Sequence, residues 1–466
     1  MKKLIWLSLP LAGAWFALIA QQPDRTTLTI SGKGGIPKLA IPDFNGSGDA
    51  QRFMAAFNQT LSSDVQGSAR FDLVPKTSLP KFVPQQPSDF QTPPSAPPQP
   101  STSRRPQPGF TVPTDGGGRW MKDWSSPPAQ AGYLAFGYTG VANGVLVLQG
   151  WLIDLSKDTP TAGQLIAKRY LGTVDEAGAR KVAHEFAADI IALAGGSSLF
   201  GTHIYFTSNR TGHKEIWRMD FDGGNQTRIT SFNSITQYPS LSADGTKLAF
   251  TSWAHGQPAI FVFSVDPVRD LRFYNQNAST NGTPSFTPDG KQVLYMSSAG
   301  GCCGIFIANL DGRGFRRVSS SVSIDTEPKV SPKGNDIVFV SGRSGRQQVY
   351  RMNIDGADME RLTPGDGEAS NPSWHPNGQI IAFAWTQGYA TGNFNIFTMD
   401  VASRKYDQLT HSEGRNENPS WAPDGAHLVF SSTRGGTKQI WTMLANGTDA
   451  HKLTTVGVNE NPVWGK

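Results

Sequence analysis

The chain is predicted to be mostly β: a six-bladed β-propeller, closed by a C-terminal strand and preceded by a small α/β domain. Three observations predict this. A motif built on Pro and Asp-Gly recurs at intervals of roughly 43–47 residues, the period of propeller-type repeats. Each copy is followed by a second half that ends in another turn and a short strand such as "RLT" or "KLT". The opening of the motif returns once more at Asn459 as "NENPVWGK", without the rest of the unit. Composition agrees: 50 Gly and 32 Pro with only 17% charged residues suit many short strands and turns.

The first segment reads as a secretory signal, residues 1–20. Lys2 and Lys3 precede the apolar stretch Leu4–Ile19, and Ala20 is a suitable last residue before cleavage. Pro10 and Gly13 interrupt the apolar run, which argues against a membrane anchor. No later stretch is long and apolar enough to span a bilayer, so the mature chain is expected to be exported and soluble, without a transmembrane segment; it is taken as a monomer. The net charge of +5 includes Lys2 and Lys3, and the other basic residues are scattered, which excludes a nucleic-acid footprint.

Residues 21–200 are assigned to the α/β domain. "KLAIPDF" (38–44) and "FDLVP" (71–75) read as strands, and between them a helix from Asp49 carries Phe53, Phe57 and Leu61 on one face. A strand series follows from Gly132 to Gly172. Thr173 and Glu176 match a T-x-x-E capping box at the start of a last helix, whose apolar face is Val182, Phe186 and Ile190. It stops at Gly195-Gly196. The Pro-rich stretch 84–118 cannot bury a core and is expected to be a disordered insertion, a solvated loop rather than a ligand for a proline-reading partner.

Residues 201–466 are assigned to the propeller. Five complete first halves begin at Tyr238, Thr283, Glu327, Asn371 and Asn418, against six second halves. Each unit reads as four strands. The first is short, as in Pro419–Trp421, and leads through a Pro-Asp-Gly turn to a second such as "HLVFSS". The first unit, from His203, lacks its innermost strand, and Pro462–Trp464 has the sequence of that strand. The chain's last residues should therefore complete the first blade and close the ring, leaving no open sheet edge.

Searches for chemistry return little. There is no G-x-S-x-G elbow, H-E-x-x-H or G-x-x-x-x-G-K-[ST], and the eight His are dispersed along the chain, read as surface or packing residues. "DFDGGN" at Asp220 lacks the downstream Glu of a calcium loop. Adjacent Cys302 and Cys303 make no metal spacing and read as local packing, a vicinal disulfide being the lesser reading. No catalytic residue, metal or cofactor is assigned.

Taken in order, the exported signal, small α/β domain and six blades closed by a truncated motif resemble the TolB family of the Tol–Pal envelope system. The blade motif alone is shared with many propellers, and stretch 84–118 departs from the family pattern. The resemblance implies a non-enzymatic periplasmic adaptor. It would bind the peptidoglycan-associated lipoprotein at one mouth of the propeller and offer its mature N-terminus to the inner-membrane protein TolA. The resemblance further implies other envelope proteins as partners and a role in outer-membrane integrity and cell division. "DRTTLTIS" alternates as a strand able to join a partner's sheet, which makes Thr27, Leu28, Thr29 and Ile30 candidates. Residues just before each innermost strand would gather at a channel rim: Asn281, Thr283, Thr326, Glu327, Asn371, Asn418 and Asn461. "DTEPKV" keeps the Thr-Glu-Pro that the family places at the lipoprotein interface, which puts Thr326 and Glu327 first. The alternative is a propeller that captures or processes a small ligand, glycan or peptide in its central channel.

Overall fold

The structure, a computed structural model, describes residues 35–93, 116–272, 278–320 and 322–466. The expected signal (1–20) and the candidate strand Thr27–Ile30 lie outside the described residues.

In the α/β domain, β1 (Lys38–Ala40) and β2 (Asn45–Gly46) precede α1 (Met54–Gly67) and β3 (Asp72–Leu73). Then come α2 (Met121–Ser125), β4 (Tyr133–Ala142), β5 (Val145–Asp154), β6 (Gln164–Gly172) and α3 (Glu176–Leu193). The sheet order is β3-β1-β4-β5-β6, with β2 paired to β4. Apolar spacing of three and four residues puts Phe57 and Leu61 of α1 on one stripe and Val182, Phe186 and Ile190 of α3 on another. All five are buried against one face of the sheet. The cap of α3 differs from expectation. Asp175, not Thr173, is the N-cap, and its carboxylate accepts the N–H of Gly178 at 2.7 Å. The Thr173 hydroxyl instead donates to that carboxylate at 2.7 Å, and together these bonds lower the Asp175 pKa.

The second face of the sheet corrects the reading of stretch 84–118 at both its ends. Phe90 packs edge-on against Phe136, with ring centroids 5.6 Å apart. Gln91 N–H donates to the Arg119 carbonyl at 2.8 Å, and Trp124 of α2 is fully buried beneath. Residues 84–93 and 116–118 are thus folded onto the domain. Their composition is poor in apolar residues, but the one aromatic among them, Phe90, reaches a sheet face that needs covering.

The propeller has six four-stranded sheets. Blades 2 to 6 begin with the innermost strands Thr236–Leu241, Asn281–Phe286, Asp325–Val330, Ala369–Trp374 and Asn416–Trp421. Blade 1 takes its innermost strand, Asn459–Gly465, from the end of the propeller sequence and pairs it antiparallel with His203–Ser208. Further bonds secure this seam. Trp464 Nε1 donates to Thr202 Oγ1 at 2.9 Å and Arg210 to Asn459 Oδ1 at 3.2 Å, while Val458 N–H donates to Asn209 Oδ1 at 2.7 Å. Both faces of each blade are buried between neighbours. Leu428 and Phe430 pack toward blade 5, whereas Val429 on the opposite face packs toward blade 1.

The α/β domain sits on the turn end of blades 6 and 1, over the hairpin turns at Asp222, Asp424 and Asp449. A cavity of about 250 Å³ lies between, lined by α1, α3 and these turns. Three of the eight histidines that look dispersed in sequence, His184, His427 and His451, line it. His184 of α3 bridges the two domains. Its Nδ1 lies 2.6 Å from Asp64 of α1 and its Nε2 lies 3.6 Å from Asp222 of blade 1, while its ring stacks on Phe200 and meets Phe221 edge-on. The "DFDGGN" stretch is therefore a blade hairpin that supplies a carboxylate to the domain contact. Burial acts to lower the His184 pKa, but hydrogen bonds and charge from Asp222 and Asp64 overcome it and raise the value to about 9.

Two expectations follow. Deleting Asn461–Lys466 removes the buried Trp464 and reopens the seam, with an expected loss of more than about 5 kcal/mol. Thermal unfolding of the truncated protein at the wild-type temperature would disprove the closure. For His184, a folded pKa above the unfolded 6.5 means that the bridge stabilises fully below pH 6.5 and is lost as pH rises through about 9. The melting-temperature gap between wild type and His184→Gln should narrow across that window; a constant gap would sink the bridge as an ionic contact.

Candidate functional site: the propeller channel

Six equivalent residues ring the central channel at one level, its waist: Tyr238, Thr283, Glu327, Asn371, Asn418 and Asn461. Each has φ between +51° and +58° and each precedes a proline. In every blade the register jumps at this pair, so two residues of the innermost strand face one of the next. The pair is a β-bulge. Proline, which has no N–H to give the ladder, is tolerated there.

The bulge moves the candidate residues. They lie inside the innermost strands, with up to two residues before them in the strand, and so occupy the waist instead of the rim. It also re-aims their N–H groups, which must find acceptors. Thr283 N–H reaches Thr251 Oγ1 at 3.1 Å, and Glu327 N–H reaches Thr283 Oγ1 at 3.2 Å. Asn371 N–H reaches Glu327 Oε2 at 2.6 Å, and Asn418 N–H reaches Asn371 Oδ1 at 3.3 Å. A belt of side-chain oxygens thus receives the N–H of the next blade, which explains why Thr, Glu and Asn suit this position. Asn favours it further because it tolerates the left-handed region better than most residues.

Other candidates separate. Asn281 begins its strand and is buried at 1% exposure between blades, so it does not line the channel. Its blade 4 equivalent, Asp325, is a packing residue held by both carboxylate oxygens on Arg343 at 3.0 Å. Thr326 is half-buried, with its hydroxyl 3.4 Å from that of Thr283.

Glu327 is deeply enclosed while still touching the lumen. Burial raises its pKa, and the N–H and side-chain amide of Asn371, with the charge of Lys329, oppose the rise. Tyr238, absent from the sequence-derived set because no one reads a tyrosine as the equal of Asn in a turn, completes the ring. Burial and the negative charges of Glu327, Glu460 and Glu417 push its phenol up to about 12.

On the loop side of the waist, Glu417 and Glu460 occupy the position that Thr326 has in blade 4. They alternate with cations: Arg415–Glu417 at 2.6 Å, Lys438–Glu417 at 2.9 Å, Lys438–Glu460 at 3.8 Å, and Lys214 on Glu460. This chain spans blades 6 and 1, so the seam and one side of the mouth share it. From the waist toward the turn side lies a chamber of about 460 Å³, lined by the waist residues and by Lys329.

Such a molecule belongs to the class of channelled six-bladed propellers with an appended α/β domain. Residues 191–389 and 365–466 match the TolB beta propeller domain, and the chain belongs to that family. A TolB homolog from Chlorobium luteolum is 35% identical over 188 residues, covering 40% of this chain and 42% of that protein. A Tol-Pal system protein TolB from Anaeromyxobacter dehalogenans strain 2CP-1 is 30% identical over 311 residues, covering 66% of this chain and 63% of that protein. The match to the Chlorobium protein thus spans about two fifths of that relative's length. The crystal structure of TolB from Acinetobacter baumannii has a TM-score of 0.71 at 21% identity, covering 92% of this chain and 97% of that one, and so shares the fold.

The belt predicts the behaviour of Asn371→Asp. A second carboxylate facing Glu327 should lower stability by about 1–3 kcal/mol at pH 7. Both carboxyls would titrate upward, so the deficit should shrink as pH falls below about 5. A deficit independent of pH in thermal melts would argue against the Glu327–Asn371 contact.

Proposed function

We propose that this protein is a component of the Tol–Pal system, acting as a non-enzymatic periplasmic adaptor. The propeller takes the peptidoglycan-associated lipoprotein at its loop mouth, and the segment around Thr27–Ile30 is offered to TolA. Membership of the TolB propeller family supports the reading, as do relatives named for the Tol-Pal system. Among the described residues no helix is long and apolar enough to cross a membrane.

One observation carries the choice of face. The α/β domain covers the turn end of blades 6 and 1, whereas the loop mouth carries exposed apolar side chains beside its charged chain of residues. Ile235, Ile324 and Val456 are 47%, 56% and 59% exposed at blade connections on that end. Apolar residues beside oriented charges are what a specific protein contact uses. Thr326, Glu327 and the waist residues Thr283, Asn371, Asn418 and Asn461 would lie at the floor of that contact. Asn281, buried between blades, would support its strand.

Titration calorimetry of residues 21–466 against the soluble domain of the same organism's peptidoglycan-associated lipoprotein tests this. Saturable binding is expected, weakened in Glu327→Gln, which keeps an acceptor for the Asn371 N–H. Glu327→Lys is a poorer choice, because it removes that acceptor and should lower the melting temperature as well. Absence of binding at tens of micromolar, where weak specific partners register, would overturn the adaptor reading.

A further inference from the structure

Blade 4 departs from its five sisters at two channel positions. Where they carry Tyr, Thr or Asn at the bulge, it carries Glu327; two residues on, where four carry Ser and one Val, it carries Lys329. The two differ in what they return to the fold. Glu tolerates the left-handed region less well than Asn, but Glu327 accepts the Asn371 N–H. Lysine has donors only, so it cannot do what Ser420 does in blade 6, where the hydroxyl accepts the N–H of Trp464 from the next blade at 3.1 Å. The Lys329 ammonium makes no hydrogen bond or ion pair with the described residues, and burial lowers its pKa while Glu327 opposes the shift. A residue that breaks a repeat's local rule without a structural return, as Lys329 does, points to function.

Glu327 and Lys329 both line one chamber, and each feels the other's charge without forming an ion pair with it. They therefore present a negative and a positive group, separated, to the same space. Hydroxyls of Ser285 and Ser373 from the flanking blades lie at the level of Lys329. The pair has no net charge, which disfavours a dianion and suits a molecule with both signs. A volume of about 460 Å³ admits a ligand of up to roughly tripeptide size.

We propose that this chamber binds a small zwitterion, a free amino acid or short peptide, with its carboxylate on Lys329 and its ammonium on Glu327. The Lys329 ammonium meets the ligand's carboxylate, and Glu327 offers the ligand's ammonium the lone pairs that its bonds to Asn371 leave free, through charge-assisted hydrogen bonds. The site does not depend on the adaptor reading. It runs from the waist, where Glu327 sits, toward the turn end, and its test uses no protein partner.

Calorimetric titration of residues 21–466 with the dipeptide Ala-Ala should give saturable binding. N-acetyl-Ala-Ala lacks the ammonium and Ala-Ala amide lacks the carboxylate, and each should bind at least about tenfold more weakly. Lys329→Ser installs the residue of four sister blades, so it should fold, melt at a higher temperature and lose Ala-Ala binding by at least about tenfold. Glu327→Asn, the residue of three sisters, should lose binding likewise. The proposal is overturned if wild type shows no saturable binding up to about 10 mM. It is equally overturned if Lys329→Ser binds Ala-Ala as wild type does, or if the blocked dipeptides bind as well as the free one.

Discussion

The strand Asn459–Gly465, laid against His203–Ser208, is the contact on which the rest of the molecule depends. A six-bladed ring has one place where neighbouring blades are not joined in sequence order, and an unpaired edge there would expose a row of backbone donors and acceptors. Hydrogen-bonding the last strand into the first blade turns that seam into an ordinary ladder. The side chains near it are recruited to the same end: Trp464 is fixed by Thr202, Asn459 by Arg210 and Gln439, and Glu460 by Lys214 and Lys438. The channel, the domain contact and the charged side of the loop mouth all border this strand.

A second constraint acts six times. The residue-proline bulge frees an N–H from the ladder, and at blades 3 to 6 a side-chain oxygen of the preceding blade accepts it, so the ring of side chains at the waist is largely a response to that. Polar residues in a propeller channel are readily taken for recognition elements. Here Thr283, Glu327 and Asn371 first satisfy the backbone of the next blade, and whatever they bind they bind with their remaining lone pairs. Lys329 has no such duty, which makes it the more informative residue.

Most of the architecture was legible because a repeat amplifies weak signals. One Asp-Gly turn means little, but several in register fix the strand count, and the orphan "NENPVW" reveals the closure. The misreadings share a cause: they concern groups whose role is set by distant parts of the chain. Thr173 and Asp175 both look like caps, and only backbone geometry chooses between them. The proline after Glu327 reads as a strand's beginning until the bulge places it inside the strand. Asn281 resembles Asn371 in type and turns out to pack between blades. His184, 38 residues before Asp222 and 120 after Asp64, shows no local pattern at all, because its partners meet it only when the α/β domain docks. Lys329 was visible in "EPKV", yet its oddity appears only when the six strands are superposed around the axis.

The closure also has a kinetic side. Thr202 and Trp464, which meet in blade 1, are 262 residues apart in the chain. Contacts of such separation form late, because the entropy of closing a long loop must be met before they stabilise anything. While the chain grows, the α/β domain and blades 2 to 6 can assemble from local hairpins, with His203–Ser208 waiting beside an open edge. The last strand thus acts as the gate between an incomplete, association-prone ring and the native one. Mutations that weaken it would be felt first as lost yield during folding, before any change in what the mature protein binds.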